Sequence, residues 1–271
     1  MIEPFQRSSG ITNITSEYGF DDHIASLRYA GIIQKALMPE PSIFKSSFCE
    51  YFILFLPRDI VSGDFYYVFT SRKSVCIAAG DCTGHGVPGA LLSILGISFL
   101  NDVLQSKMEP RANRVLNIMR EKVMKALHQT GDRAGAPDSI DISLCILDID
   151  KTRMQFSGAN RPLIMMRDGE LVEFKPDKMT IGIAPLKEHS FTNQVIATKP
   201  GDTFYMFSDG YSDQFGGLTD KKFKHKHLKR VLESIAGFPL SHQKEVLEST
   251  FLEWKGKEQQ NDDVMIIGFK V

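Results

Sequence analysis

Four aspartates stand at the ends of short apolar segments that are far apart in the chain. They are Asp64 before FYYVFT, Asp81 after SVCIAAG, Asp209 after TFYMFS, and Asp262 shortly before VMIIGF. Segments of this length and composition predict buried strands, and strand ends can converge on one edge of a sheet. Clustered carboxylates repel one another unless a cation holds them, and hard oxygen ligands select Mg²⁺ or Mn²⁺. The pattern therefore predicts a divalent-metal site.

A simpler alternative for each aspartate is a turn or a helix cap. Asp81 precedes the segment CTGHGVPG, in which three glycines fall within six residues. Aspartate and glycine are the commonest turn residues, and glycine also lets the backbone approach a ligand closely. One such junction does not distinguish a cap from a site. The recurrence of a carboxylate at four strand ends favours the site.

Five segments, in this order and spacing, resemble the metal-dependent protein phosphatases of the protein phosphatase 2C-like superfamily. The segments are SGDFYYV, AGDCTGHGVPGALLS, SGANRPL, YMFSDGYSDQFGG and NDDVMIIGF. They are more similar to the bacterial SpoIIE-type branch, named after the sporulation stage II E protein, than to the eukaryotic branch. The resemblance covers roughly Ile24 to Val271. It implies an α+β fold, a four-layer αββα sandwich of two antiparallel sheets flanked by helix pairs.

The resemblance also implies roles for individual residues. Two ions, Mn²⁺ or Mg²⁺, would be bound by a set of five ligands: Asp64, Asp81, Asp209, Asp262 and the backbone carbonyl of Cys82. Asp81 would bridge both ions, and the four aspartates would be catalytic through a metal-bound water. In this family a metal-bridging hydroxide attacks the phosphate directly, without a covalent phosphoenzyme. Asp263 stands where the family often has asparagine, and we expect a structural role for it.

The sequence departs from the eukaryotic pattern next to Asp81. That branch has a histidine two residues after the bridging aspartate, proposed as the general acid, whereas here the position is Thr83. His85 lies two residues further on, and we expect it to shape the turn, so the general acid is left unassigned. Asp138 and Asp141 are candidates for a third metal, although turn roles are favoured.

Three further features include arginines or lysines that an anionic substrate or partner could contact. Arg58, six residues before Asp64, is a candidate substrate-binding residue because its forked guanidinium can hold a phosphate; the alternative is a plain surface charge. The segment SGANRP at 157–162 predicts a turn that lines the substrate cleft. The basic run KKFKHKHLKR at 221–230 has apolar residues at helical spacing, which favours a solvated helix face over a nucleic-acid site.

Composition limits the classes of function. A chain of 271 residues with 42% hydrophobic and 24% charged residues can bury a large core. A net charge of −1 argues against nucleic acid as a partner, and so against a two-metal nuclease. The four cysteines show no CxxC spacing, which indicates reduced thiols and a cytoplasmic location. We find no apolar run of the ~18 residues that a membrane span needs and no signal-peptide core, so no membrane association is expected.

The chain divides at the prolines that follow residue 38. Residues 1–40 are predicted to form an N-terminal arm and a linker or regulatory helix, and residues 41–271 the SpoIIE-type phosphatase domain. Within the first part, Met1 to Asp22 lacks periodicity, whereas Ile24 to Met38 reads as a helix. The segment IQKALMP resembles family segments that connect a sensor to the phosphatase. Residues 24–38 are therefore expected to contact an upstream sensor or to self-associate; the alternative is a helix that only packs on the domain.

These observations predict a protein serine/threonine phosphatase. The family implies that its substrate is a phosphorylated signalling protein, such as an anti-sigma-factor antagonist. The alternative is a degenerate phosphatase that acts as a phosphoprotein-binding module. Loss of a ligand aspartate would favour that alternative, but all four aspartates are present.

Overall fold

The computed structural model describes residues 12–106, 110–129, 138–183, 189–217 and 221–271, with side chains from residue 21 onward. These ranges contain seven helices: α1 Thr12–Leu37, α2 Pro41–Ser47, α3 Gly86–Leu104, α4 Ala112–Ala126, α5 Gly210–Asp213, α6 His225–Ile235 and α7 Leu240–Lys255. They also contain twelve strands: β1 Glu50–Leu56, β2 Asp64–Thr70, β3 Ser74–Cys82, β4 Ile140–Asp148, β5 Arg153–Ala159, β6 Leu163–Arg167, β7 Glu170–Phe174, β8 Gln194–Ala197, β9 Thr203–Phe207, β10 Phe215–Gly216, β11 Lys221–Lys222 and β12 Val264–Lys270.

Two five-stranded antiparallel sheets form the centre of the fold. The first has the strand order β1-β12-β9-β6-β7 and the second the order β2-β3-β4-β5-β8, while β10 and β11 form a small separate hairpin. Helices α3 and α4 pack together on the second sheet, and α6 and α7 cover the first. The predicted α+β sandwich of four layers is confirmed.

Three apolar clusters lie between the layers. Side chains of both sheets meet in the middle cluster, which includes Phe156 from β5 and Phe204 from β9. Leu100 of α3 and Met119 of α4 belong to the cluster on the second sheet. Leu247 of α7 lies in the cluster on the first sheet. Burial of apolar surface on both faces of each sheet holds the strand ends in a fixed relation.

Helix α3 corrects one expectation about apolar runs. By length and composition alone, Gly86–Leu104 could cross a membrane, although no such run was expected from the sequence. Its buried side chains, including Leu92, Ile97 and Leu100, pack into the cluster that joins the second sheet to α4. A helix that is apolar all round is also typical of a position between a sheet and another helix.

The structure differs from the predicted elements mainly near the N-terminus. Helix α1 begins at Thr12, so the prediction of an irregular segment up to Asp22 is wrong for the residues that the structure describes. Helix α2 and the edge strand β8 were not predicted, because both are short. The segment 131–137, which the sequence predicts to be a loop, lies outside the described residues. The sequence also predicts strands at 49–56, 64–70, 74–80, 140–149, 153–157, 163–167, 171–174, 203–208 and 264–269 and helices at 88–105, 111–129, 222–236 and 241–255. The observed elements match these bounds to within three residues.

Candidate active site

Three neighbouring strands of the second sheet carry an aspartate at the same end. Asp64 at the start of β2 is paired in register with Asp81 near the end of β3. Asp81 is in turn paired with Asp141 near the start of β4. Directly paired residues project to the same face of a sheet, with Cβ atoms about 5 Å apart. The antiparallel register thus brings together three carboxylates from distant parts of the chain, since Asp64 and Asp141 are 77 residues apart.

The first sheet adds two aspartates from the loops next to its central strands. Asp209 lies two residues after β9, and Asp262 lies two residues before β12, its antiparallel neighbour. The backbones in this region are close, because a Cβ added to Gly210 would lie 1.9 Å from the carbonyl oxygen of Asp263. The amide of Asp209 lies 3.5 Å from Oδ2 of Asp81, which joins the two sheets at the site.

Asp263 has the structural role that was expected. It is buried, and its Oδ1 and Oδ2 accept hydrogen bonds of 2.7 Å from the amides of Arg58 and Gly63. Its own amide donates to Oδ1 of Asp262 at 2.8 Å. Asp263 therefore ties the start of β12 to the loop that enters β2, and so positions both Asp262 and Asp64.

Arg161 lies inside the carboxylate cluster. Its Nη2 atom is 2.6 Å from Oδ2 of Asp81 and 2.6 Å from Oδ2 of Asp209, and it is 3.6 Å from Oδ2 of Asp141. The neighbouring Asn160 donates to Oδ1 of Asp141 at 2.9 Å. The sequence predicted only that this turn lines the cleft, not that its arginine contacts the metal-ligand candidates. A signal was present, since Arg161 is the sole lysine or arginine in the five motif segments.

Burial and mutual repulsion change the acidity of the cluster. Burial raises the pKa of Asp64 well above its ordinary value, and the charge of Asp81 raises it further. Burial also raises the pKa of Asp81 to about 7, although the Arg161 guanidinium lowers it. The pKa of Asp262 is raised too, mainly by burial. Arg161 alone therefore does not supply enough positive charge to keep the pKa values of these carboxylates in their ordinary range.

The donor set fits a divalent cation. Oδ2 of Asp64 is buried and has no hydrogen-bond partner among the described residues, which is costly for a carboxylate. The Cys82 carbonyl oxygen lies close by, 3.4 Å from where a Cβ on Gly63 would stand. Within the described ranges, however, no three His, Cys, Asp or Glu side chains already converge as ligands. The Arg161 nitrogen lies between the oxygens of Asp81 and Asp209.

The remaining candidates lie at the edge of the cluster. Arg58 is exposed, and its Nη1 donates to the carbonyl of Asn261 at 3.0 Å, next to Asp262. His85 precedes α3, with Nδ1 at 3.1 Å from Oδ2 of Asp59.

Two other positions near β4 take different roles. The hydroxyl of Thr83 donates a hydrogen bond to the carbonyl of Ser139. The carbonyl of Asp138 accepts a hydrogen bond from the side-chain amide of Gln129. Of the two third-metal candidates, the structure brings Asp141, but not Asp138, to a side-chain contact with Arg161.

A groove of about 610 Å³ lies at the opposite end of the second sheet. It is lined by residues at the far ends of β2 to β5, among them Arg72 and Arg153, and by residues between α3 and α4, among them Arg111. Among the described lining residues the one carboxylate is Asp148, which accepts a hydrogen bond of 2.9 Å from Nε of Arg153. The described lining of the groove thus lacks the clustered carboxylates found at the other end of the sheet.

Comparison with known families identifies the family of the chain. The profile of the family described as stage II sporulation protein E (SpoIIE) matches residues 71–271. The chain belongs to this family. It is therefore a protein serine/threonine phosphatase of the PP2C type. No curated protein sequence matches the chain.

Solved structures show the same fold. The SiaA-PP2C domain of Pseudomonas aeruginosa is 29% identical, with a TM-score of 0.83 over 93% of this chain and 98% of that one. The PP2C phosphatase domain of SpoIIE from Bacillus subtilis, solved with a fragment of its regulatory domain, is 18% identical, with a TM-score of 0.64 over 82% of this chain and 63% of that one. RsbX in complex with magnesium is 13% identical, with a TM-score of 0.55 over 82% and 94% of the two chains.

Proposed function

We propose that this chain removes phosphate from phosphoserine or phosphothreonine on a signalling protein, with Mn²⁺ or Mg²⁺ bound at the carboxylate cluster. The convergence of Asp64, Asp81 and Asp209 from two sheets carries this proposal. The unpartnered buried oxygen of Asp64 supports it, because such an atom requires a cation or a donor. A purely structural cluster of acidic residues would leave that requirement unmet.

The residues of the chain divide the work by their position. Asp64 and Asp81 are held by strand pairing, so they would fix the position of a bound ion, with the Cys82 carbonyl as a further oxygen donor. Asp209 and Asp262 would complete the ligand set from the first sheet. When bound, two divalent ions acidify water and neutralise charge on the phosphoryl oxygens. Arg58, at the rim, would hold the phosphate of the substrate through its fork.

The proposed substrate is a phosphoprotein, and the family resemblance suggests an anti-sigma-factor antagonist. The near-neutral chain, with a net charge of −1, offers no general attraction for nucleic acid. A cytoplasmic location stays a prediction. It is supported by the four cysteines, which are all free and of which only Cys49 is exposed.

A metal-dependent assay tests the proposal. We expect the purified chain to hydrolyse a small aryl phosphate with Mn²⁺ or Mg²⁺ and to stop in EDTA. Asp81→Asn is the matched inactive control, because it keeps the shape of the side chain. Activity that persists after complete metal removal would contradict the metal mechanism. Metal and phosphoprotein binding without turnover would favour the degenerate binding module. A screen of phosphorylated partner proteins would then identify the substrate.

We further propose that α1 carries the contact with a sensor or with a second copy. Tyr29 and Ile32 on this helix are 66% and 64% exposed. On another side, the buried Gln34 donates to the Ser62 carbonyl and to Ser93 Oγ, and accepts from the Ser62 amide. The helix is thus linked to the loop that enters β2. If α1 self-associates, the double variant Tyr29→Ser/Ile32→Ser should lower the mass in solution. If wild type and variant both have the mass of a monomer, self-association is excluded and the contact with a sensor remains as the proposal.

A further inference from the structure

Arg161, in the turn just before β6, is arranged differently from Arg167, the partly buried arginine at the end of that strand. At the far end of β6, Arg167 uses both Nε and Nη2 for Asp202, at 2.8 and 2.5 Å, as a forked ion pair. Arg161 instead contacts Asp81 and Asp209 through Nη2 alone, and its buried Nε has no hydrogen-bond partner among the described residues. Arginine–carboxylate pairs frequently use two nitrogens of the fork, which makes the pair stronger and more specific, as in the pair of Arg167 with Asp202. Arg161 does not use its fork in this way.

The turn that carries Arg161 does not depend on the guanidinium. Ser143 Oγ donates to the carbonyls of Arg161 and Pro162, at 3.0 and 2.9 Å. The amide of Arg161 donates to the carbonyl of Ala159 at 2.7 Å. These contacts hold the backbone between β5 and β6. The side chain, which is only 15% exposed, is therefore available for a role in the cluster itself.

The position of Nη2 is that of a cation shared by carboxylates. One nitrogen lies 2.6 Å from an oxygen of Asp81 on the second sheet and 2.6 Å from an oxygen of Asp209 beside the first. A Mg²⁺ ion would bind carboxylate oxygens at about 2.1 Å, closer than the guanidinium nitrogen lies, and would compete with it for these two oxygens. Two positive groups cannot share these oxygens without strong repulsion. An ion that binds both Asp81 Oδ2 and Asp209 Oδ2 must displace the guanidinium.

We propose that Arg161 is an internal counter-cation that holds Asp81 and Asp209 together in the metal-free protein and competes with the divalent ion for them. This inference rests on the proposed function, because it assumes that an ion binds at the cluster. Arg161 is a positioning residue in this role, since it acts through the ligands. It makes the metal-free fold more stable and metal binding weaker than the carboxylates alone would allow.

Calorimetric titration of the full chain with Mn²⁺ tests the competition. Arg161→Met removes the charge at similar volume, and we expect it to bind Mn²⁺ at least tenfold more tightly than wild type. We also expect its melting temperature in EDTA to fall. Arg161→Lys should give an intermediate Kd. The control is Arg167→Met, the same change at the other end of β6, which should lower stability without altering the Kd.

Each outcome of the titration decides the inference. An Arg161→Met variant that binds Mn²⁺ with the wild-type Kd, or more weakly, would overturn it. If wild type binds no Mn²⁺, a variant that gains binding supports it, and a variant that also binds none overturns it. Failure of the proposed function is distinguishable. In that case Mn²⁺ binds, and the Kd of wild type can still be compared with that of Arg161→Met, but no aryl phosphate is hydrolysed.

A measurement on wild type covers the case in which Arg161→Met does not fold. Arginine Nε–H resonances of the full chain can be followed by NMR in EDTA and with Mg²⁺, which is diamagnetic. The Arg161 resonance is assigned by its absence from the spectrum of Arg161→Lys. We expect it to shift, and its exchange with water to accelerate, when Mg²⁺ is added. A resonance that keeps its position and its protection at saturating Mg²⁺ would contradict displacement.

Discussion

The two sheets contribute to the carboxylate cluster in different ways. The second sheet holds Asp64 and Asp81 inside paired strands, with side chains 2% and 15% exposed. Beside the first sheet, Asp209 is 39% exposed, and both it and Asp262 lie in loops beyond strand ends. Residues in a ladder cannot move without breaking backbone hydrogen bonds, whereas loop residues can. One half of the site is thus rigid and desolvated, and the other half can adjust.

The largest expected effect is a loss of activity that differs between the rigid half of the site and the adjustable half. Asp81→Asn should lower kcat/KM for an aryl phosphate by roughly a thousandfold or more, about 4 kcal/mol of transition-state stabilisation. Asp262→Asn should cost less, about ten- to a hundredfold, because a half-buried loop ligand can be partly replaced by water. Steady-state kinetics in saturating Mn²⁺ measures both. Equal losses would show that the rigid and the adjustable halves are equally essential.

The next effect concerns stability without metal. Asp64→Asn removes a buried charge with an unpartnered oxygen, so it should stabilise the protein in EDTA at pH 8, by about 1–3 kcal/mol. Asp209→Asn should be neutral within about 1 kcal/mol, because its carboxylate is partly exposed and already paired with Arg161.

Thermal melts in EDTA and in Mn²⁺ compare these two variants. Mn²⁺ should raise the melting temperature of wild type more than that of either variant, since ligand stabilisation follows RT ln(1 + [L]/Kd). An Asp209→Asn protein that is more stabilised in EDTA than Asp64→Asn would reverse the comparison.

The stability of the metal-free protein should depend on pH because of the two carboxyls in the rigid half of the site, Asp64 and Asp81. The pKa of Asp81 is raised from 3.8 to about 7, and that of Asp64 is raised as well. The folded state therefore binds more protons than the unfolded state across this range. The free energy of unfolding in EDTA should then fall as pH rises from about 4 to 7. Urea unfolding at several pH values measures it, and Asp64→Asn should show a shallower fall. A stability that rises over this range would contradict the assigned burial.

The smallest expected effect lies at the rim. If Arg58 binds the substrate phosphate, Arg58→Ala should raise KM about two- to tenfold, and Arg58→Lys should raise it less, because lysine keeps the charge but not the fork. The stability should change little, since Arg58 is exposed and its backbone amide, not its side chain, binds Asp263. Unchanged kinetics in both variants would make Arg58 a surface charge.

Local pattern was sufficient to predict much of the fold. Apolar segments separated by turn signals marked β2 and β6 at their observed bounds, and amphipathic spacing marked α4 and α6. Short or irregular elements such as α2 and β8 carry too few residues for a periodic signal. The N-terminal part of α1 was missed because its sequence shows no apolar stripe.

The chain by itself determined which groups the site could use: four aspartates, each beside a strand and within motifs that resemble one phosphatase family. Only the tertiary structure decided how they meet. Antiparallel register placed Asp64 against Asp81, and the packing of two sheets brought Asp209 within reach of a nitrogen from Arg161. Side-chain types follow from local sequence, but distances across two sheets depend on register and packing between segments far apart in the chain. No local pattern encodes those distances.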